Sequence, residues 1–87
     1  MATKHLTETT LQLVKDEIRN YQYHLEDRHN HEHLSANWFK AVKTANGCYA
    51  LIQTLTGLTA KHVDLLCDGT VTIDNYYNQD GTKRNSK

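Results

Sequence analysis

The chain has 87 residues, of which 38% are apolar, and ten basic side chains balance ten acidic ones, so the formal net charge is zero. A chain of this length forms one small domain that buries roughly 60–65% of its unfolded surface. The balanced charge argues against a dedicated nucleic-acid-binding protein, which usually carries a basic excess. No charged leader and no apolar run of membrane-spanning length is visible, so we expect a cytoplasmic protein.

One helix-start signal occurs three times along the chain: a leucine, then a hydroxyl residue, then an apolar residue four positions after that hydroxyl. The hydroxyl can cap the first turn, and the leucine can pack on the apolar residue as a hydrophobic staple. The three instances are Leu6-Thr7 with Leu11, Leu34-Ser35 with Phe39, and Leu58-Thr59 with Val63. They predict helices at about 8–28, 36–56 and 60–67.

The first two predicted helices each carry apolar residues at alternating spacings of three and four, which is typical of a narrow packing seam. The seams are Leu11, Val14, Ile18, Tyr21 and Leu25, and Trp38, Ala41, Ala45, Cys48, Ile52 and Leu55. The polar link between the helices is about six residues long, which favours an antiparallel hairpin. Gly47 lowers helix stability by about 1 kcal/mol, yet the pattern predicts an unbroken second helix.

The hydrophobic period changes to two at 70–73, which predicts a short extended or β segment after the third helix. A turn at 79–81 could return a second strand, but the residues that follow are poor strand formers. We expect residues 78–87 to form a disordered tail. The predicted class is therefore all-α: an antiparallel helical hairpin, a third short helix, and a short extended segment before the tail.

Histidine is the compositional outlier of the chain, with six residues. Four of them cluster at the end of the first predicted helix and in the link that follows: His24, His29, His31 and His33. Imidazole is a ligand for zinc, nickel and copper, and alternate residues of an extended segment point to one side. The cluster therefore suggests a transition-metal site, with a solvated polar loop as the alternative, and we expect no bound cofactor.

Residues 50–68 match the apolar and glycine pattern of a helix-turn-helix only weakly. A DNA-binding regulator built on this unit would use the basic and polar side chains Lys61, His62, Lys83 and Arg84. Asp64 and Asp68 lie on the same predicted helix face and would repel phosphates. DNA binding is therefore an alternative interpretation and not the favoured one.

An enzyme is not expected. The chain has no glycine-rich phosphate loop and no serine or cysteine beside a credible base, and a narrow helical hairpin rarely encloses a substrate pocket. Cys48 and Cys67 occupy apolar helix positions, which predicts reduced core residues.

The favoured function is a helical protein–protein interaction module, homodimeric, that binds and inhibits or regulates another protein. The candidate contact residues are Tyr76 and Tyr77, which lie beyond the helices, and Leu13 and Tyr23, which lie off the first seam. In size and composition the chain also resembles the small, neutral or acidic helical accessory proteins of phages and plasmids.

Overall fold

The computed structural model describes residues 5–83, and this part of the chain contains three α-helices. Helix α1 spans Glu8–Asp27, α2 spans Ala36–Thr56 and α3 spans Ala60–Cys67. The all-α class is therefore confirmed, and α2 continues through Gly47 without a break, as predicted. Short 3₁₀ segments lie at Arg28–Asn30 and Ile73–Asn75.

Two of the three predicted hydroxyl caps are present. Thr7 Oγ1 accepts a hydrogen bond from the Thr10 N–H at 3.0 Å, and Ser35 Oγ accepts one from the Trp38 N–H at 3.2 Å. The side chain of Thr59 makes no such bond, so the cap predicted for α3 is wrong in this detail. Gly57 ends α2 with φ 72°, a left-handed conformation that glycine adopts without steric cost.

Helix α1 packs mainly against α2. The Glu17 carboxylate helps to raise the pKa of the Cys48 thiol, which places the two groups near each other, and farther along α1 His24 lines a groove with Ala41, which precedes Cys48 in α2. These pairs therefore progress in opposite directions along the two helices. Helix α3 covers one side of the pair, where Gln22 Nε2 donates to the Cys67 carbonyl oxygen at 3.2 Å.

The buried core draws on all three helices and on both flanking segments. Its members are Leu6, Leu11, Val14, Ile52, Leu58, Val63, Leu66, Cys67, Ile73 and Tyr77. Ile18 and Tyr21, farther along the α1 seam, are only partly buried. The core is therefore densest where α3 and the C-terminal segment cover α1 and α2, and the connection between those two helices lies beyond it.

The C-terminal segment differs from the sequence-based expectation. The extended segment predicted at 70–73 is not confirmed: residues 70 and 71 form bends and Ile73 begins a 3₁₀ turn. The β pairing found within residues 5–83 is one isolated antiparallel bridge between Tyr77 and Lys83. Residues 78–83, expected to be a disordered tail, form a turn in which the Asn78 N–H donates to the Thr82 carbonyl at 2.9 Å. Residues 84–87 lie outside the described part.

The same turn is attached to the start of the chain. The Leu6 N–H donates to the Gly81 carbonyl oxygen at 2.8 Å, and the Lys83 N–H donates to His5 Nδ1 at 3.1 Å. These two hydrogen bonds therefore join the N-terminal and C-terminal ends of the described part of the chain.

Candidate interaction surfaces

Five large apolar side chains are exposed within residues 5–83. Their exposed fractions are 66% for Tyr23, 59% for Leu34, 53% for Phe39, 41% for Leu13 and 38% for Leu51. A single exposed apolar residue is normal, but adjacent ones often mark a binding surface. Leu34 and Phe39 are the exposed apolar residues nearest to the start of α2, since Leu34 directly precedes the Ser35 cap and Phe39 lies in the first turns of the helix.

We call the surface formed by Leu34, Trp38 and Phe39 the turn patch. The Ser35 cap fixes the start of α2 and so sets the direction of the two aromatic residues. The rings of Trp38 and Phe39 meet edge to face, with centroids 5.0 Å apart and an interplanar angle of 89°. The other partner of the Trp38 ring is His33, at 4.9 Å. The two aromatic rings of the patch are thus held in a defined geometry.

Leu34 has an unusual backbone conformation, with φ 66°. A left-handed conformation costs a residue that carries a Cβ atom about 1–2 kcal/mol. Burial of the leucine side chain does not offset that cost, because most of the side chain is exposed. Unfavourable backbone conformations of this kind cluster at binding and catalytic sites.

Sequence reasoning missed the turn patch. The leucine–serine–phenylalanine spacing predicted a staple in which Leu34 and Phe39 cover each other, whereas more than half of each side chain is exposed. One signal in the sequence could have predicted the patch: Trp and Phe follow shortly after a polar link. Such a link lies at the surface, where little core is available to bury two aromatic side chains.

Basic residues flank the turn patch along α2. Lys43 lies one helical turn beyond Phe39, on the same side of the helix, and Lys40 follows Phe39 directly. Both lysines are exposed. The surface is thus an apolar centre with cationic groups on its α2 side.

The four contact residues predicted from the sequence have different environments. Leu13 and Tyr23 are exposed, as that prediction requires. Tyr76 is half-buried, and its hydroxyl lies 2.9 Å from His62 Nδ1. Tyr77 is completely buried, and its hydroxyl donates to the Thr56 carbonyl oxygen at 3.1 Å. The prediction of Tyr77 as a surface contact was wrong, because the following turn folds back and directs its ring into the core.

The four histidines proposed as metal ligands are brought together only in part, since His24 and His31 line one groove with Asp27. His31 Nε2 lies 3.3 Å from Asp27 Oδ2, whereas the rings of His24 and His33 meet Tyr23 and Trp38. His29 lines a different groove, with Tyr21 and Cys67.

No group of three or more His, Cys, Asp or Glu side chains within residues 5–83 is arranged to hold a metal ion. The expected alternation fails because Arg28–Asn30 is a 3₁₀ turn and not an extended segment. Hydrogen bonds from Asn30 and His31 instead lower the pKa of Asp27.

The residues of the DNA-binding alternative do not form a basic helix face. On α3, Lys61 is exposed, but so is Asp64, and Asp68 follows at the helix end. The His62 ring is engaged with Tyr76. Lys83 is exposed in the C-terminal turn, and Arg84 lies outside the described residues.

Comparison of the chain with protein-family models, with curated proteins and with solved structures finds no match. Of the helices in residues 5–83, none combines the length and the apolar character needed to cross a membrane. Function is therefore inferred from the chemistry of the molecular surface.

Proposed function

We propose that this protein is a non-enzymatic interaction module that binds and modulates another protein through the turn patch. The observation that carries the proposal is the combination at Leu34 and Phe39: both apolar side chains near the start of α2 are exposed, and the leucine keeps an unfavourable backbone conformation. Binding would bury these side chains and so offset the conformational cost.

The scaffold in this proposal is the antiparallel hairpin of α1 and α2. The opposite progression of the Glu17–Cys48 and His24–Ala41 pairs supports it. In a hairpin the turn patch lies at the tip, away from the core that α3 covers, so a partner can approach it without disturbing the fold. The two free thiols suit a reducing compartment, and we place the protein in the cytoplasm.

The partner expected for the turn patch is a protein with an apolar pocket and an acidic rim. Trp38 and Phe39 supply rigid aromatic area, which dominates the energetics of many interfaces. Lys40 and Lys43 would face acidic groups on the partner, which mainly increases association rate and selectivity. DNA binding and metal binding have no comparable surface among residues 5–83.

The test is comparative capture from a lysate of the source cells. The bait proteins are the native chain, a Leu34→Ser/Phe39→Ser double variant, and Tyr23→Ser as the matched control. All three substituted side chains are exposed, so each change should alter folding stability by only about 0.5 kcal/mol or less.

We expect the native chain and Tyr23→Ser to retain the same protein and the double variant to lose it. Equal capture by all three baits, with unchanged helical circular dichroism, would refute the role of the turn patch. Loss of capture on Tyr23→Ser alone would move the binding site to α1.

A further inference from the structure

A cavity of about 300 Å³ lies between α1 and the segment that follows α3. One wall belongs to α1 and consists of Lys15, Ile18, Arg19 and Gln22. The other wall is formed by residues between Leu66 and Asp74. None of the residues of the turn patch lines this cavity, so it is a separate feature of the molecule.

The inner surface of the cavity is apolar. Leu66 and Ile73 are buried members of the core, and Ile18 and Val71 are half-buried and pack against that core. Small-molecule sites are typically of this kind, with an apolar lining and a few polar groups at defined positions. At the packing density of a protein interior, the volume suits a ligand of roughly ten non-hydrogen atoms.

Hydrogen bonds hold both walls in place. Gln22 Nε2 joins α1 to the Cys67 carbonyl oxygen at the end of α3. The Val71 N–H donates to the Leu65 carbonyl oxygen at 3.2 Å and so attaches the following segment to α3. Gly69 makes the turn between them with φ 84°, a conformation that glycine adopts without steric cost. The shape of the cavity is therefore part of the fold.

The charged groups of the cavity are unequally divided between its walls. Lys15 and Arg19 are one helical turn apart and lie on the same side of α1. Lys15 is half-buried and has no ion-pair partner within residues 5–83. Arg19 lies 3.9 Å from Asp16, an exposed contact that leaves most of the guanidinium N–H groups available. The lining contains one carboxylate, that of Asp74 on the other wall, so cations predominate on the α1 side.

We propose that this cavity binds a small amphiphilic carboxylate, with its apolar part on Ile18, Leu66 and Val71 and its carboxylate at Lys15 and Arg19. A guanidinium and an ammonium on one rim can both donate charge-assisted hydrogen bonds to a carboxylate. A cationic ligand of the same shape would meet two like charges and one opposite charge, which disfavours it.

The test is an NMR titration of the isotope-labelled full chain with sodium octanoate, 1-octanol and octylammonium chloride, each up to about 3 mM, because ligands this small bind weakly. The three probes share one alkyl chain and differ in charge. We expect octanoate to shift the amide signals of residues 66–74 saturably, with a dissociation constant at least about tenfold lower than that of octanol, and octylammonium not to saturate. Trp38 is the single tryptophan and belongs to the turn patch, so its fluorescence should not change.

The Lys15→Gln/Arg19→Gln double variant tests the cationic rim. It should raise the dissociation constant of octanoate by about tenfold and leave that of octanol unchanged. The Lys61→Gln/Lys83→Gln variant is the matched control, because it removes the same charge from two exposed lysines that do not line the cavity. It should bind octanoate as the native chain does. Circular dichroism confirms that each variant is folded.

Absence of saturable octanoate binding up to about 3 mM would overturn the proposal. So would shifts centred on residues 34–39 in place of 66–74. Equal affinity of the native chain for octanoate and octanol, or an equal loss of octanoate affinity in the two double variants, would refute the recognition of a carboxylate and with it the proposal. None of these results changes the capture of a protein by the turn patch, so the two proposals fail separately.

Discussion

The hydroxyl of Tyr77 donates a hydrogen bond of 3.1 Å to the carbonyl oxygen of Thr56, the last residue of α2. Both residues are fully buried. A carbonyl at a helix C-terminus lacks an intrahelical partner, and burial without one is costly. The Tyr77 side chain therefore closes the end of α2 and fixes the C-terminal segment on the core.

The Tyr77→Phe substitution tests this role, since it removes the hydroxyl and keeps the ring. We expect the free energy of unfolding to fall by about 1–2 kcal/mol, because the Thr56 carbonyl oxygen loses a buried partner. Urea unfolding followed by circular dichroism measures the change. Tyr23→Phe is the control and should be neutral, since its side chain is exposed. An equal effect of the two variants would show that the buried bond contributes nothing.

We expect opposite changes in stability when Gly81 and Gly47 are replaced by alanine. Gly81 has φ 92°, and a Cβ atom there would collide with the Leu6 carbonyl oxygen. The Leu6 N–H also donates a hydrogen bond to the Gly81 carbonyl oxygen. Gly47 lies within α2 and a Cβ atom there meets open space. We expect Gly81→Ala to destabilise by more than about 1 kcal/mol and Gly47→Ala to stabilise by up to about 1 kcal/mol. Thermal melts of both variants measure the change in stability. A stabilised Gly81→Ala variant would contradict the contact between the chain ends.

We expect a substitution at Leu34 to change folding stability and partner binding in opposite directions. Replacing it by glycine removes the left-handed penalty, so the free energy of unfolding should rise by up to about 1 kcal/mol. The same change removes an exposed apolar side chain from the turn patch and should weaken partner binding. Leu13→Gly is the contrasting variant and should destabilise, because it places glycine inside a helix. If Leu34→Gly lowers stability as Leu13→Gly does, Leu34 does not have the conformation described.

The thiols predict a loss of stability at alkaline pH. Burial, together with nearby acidic groups, raises the pKa of Cys48 and of Cys67 from 9.0 to about 11. The folded protein therefore holds these protons more tightly than the unfolded chain does. Their contribution to stability is complete below about pH 9 and declines as the pH rises towards 11.

Urea midpoints measured between pH 8 and 10.5 should decrease in the native chain and decrease less in Cys67→Ala. Tyr49 contributes in the same direction, since burial and a bond to Asp64 raise its pKa to about 12. A midpoint that does not change with pH, or rapid thiol labelling of the folded chain at pH 8, would contradict this environment for the cysteines.

The sequence was informative wherever structure depends on neighbours along the chain. The hydroxyls of Thr7 and Ser35 each cap a turn three residues away, and the spacing of Leu11, Val14 and Ile52 follows from helical periodicity, so the helix bounds were predictable. The burial of Tyr77 was not predictable, because its ring lies in a core that includes Leu6 and Leu11, which are far from it in the sequence. No local pattern records such a contact.

The histidine cluster and the turn patch show the same limit at the surface. Whether His29 and His31 share a side depends on a 3₁₀ turn that the polar sequence does not announce. Whether Leu34 and Phe39 cover each other depends on one backbone angle, which the staple pattern assumes to be ordinary. The types of residue near the link between α1 and α2 could be predicted, but not which of them are exposed.

The central claim is that the turn patch binds another protein, and titration calorimetry of the captured partner with the native chain and with Phe39→Ala tests it most directly. We predict a dissociation constant at least about tenfold higher for Phe39→Ala, and a smaller negative heat-capacity change because less apolar surface is buried. Equal affinity and equal heat capacity for the two proteins would contradict the account.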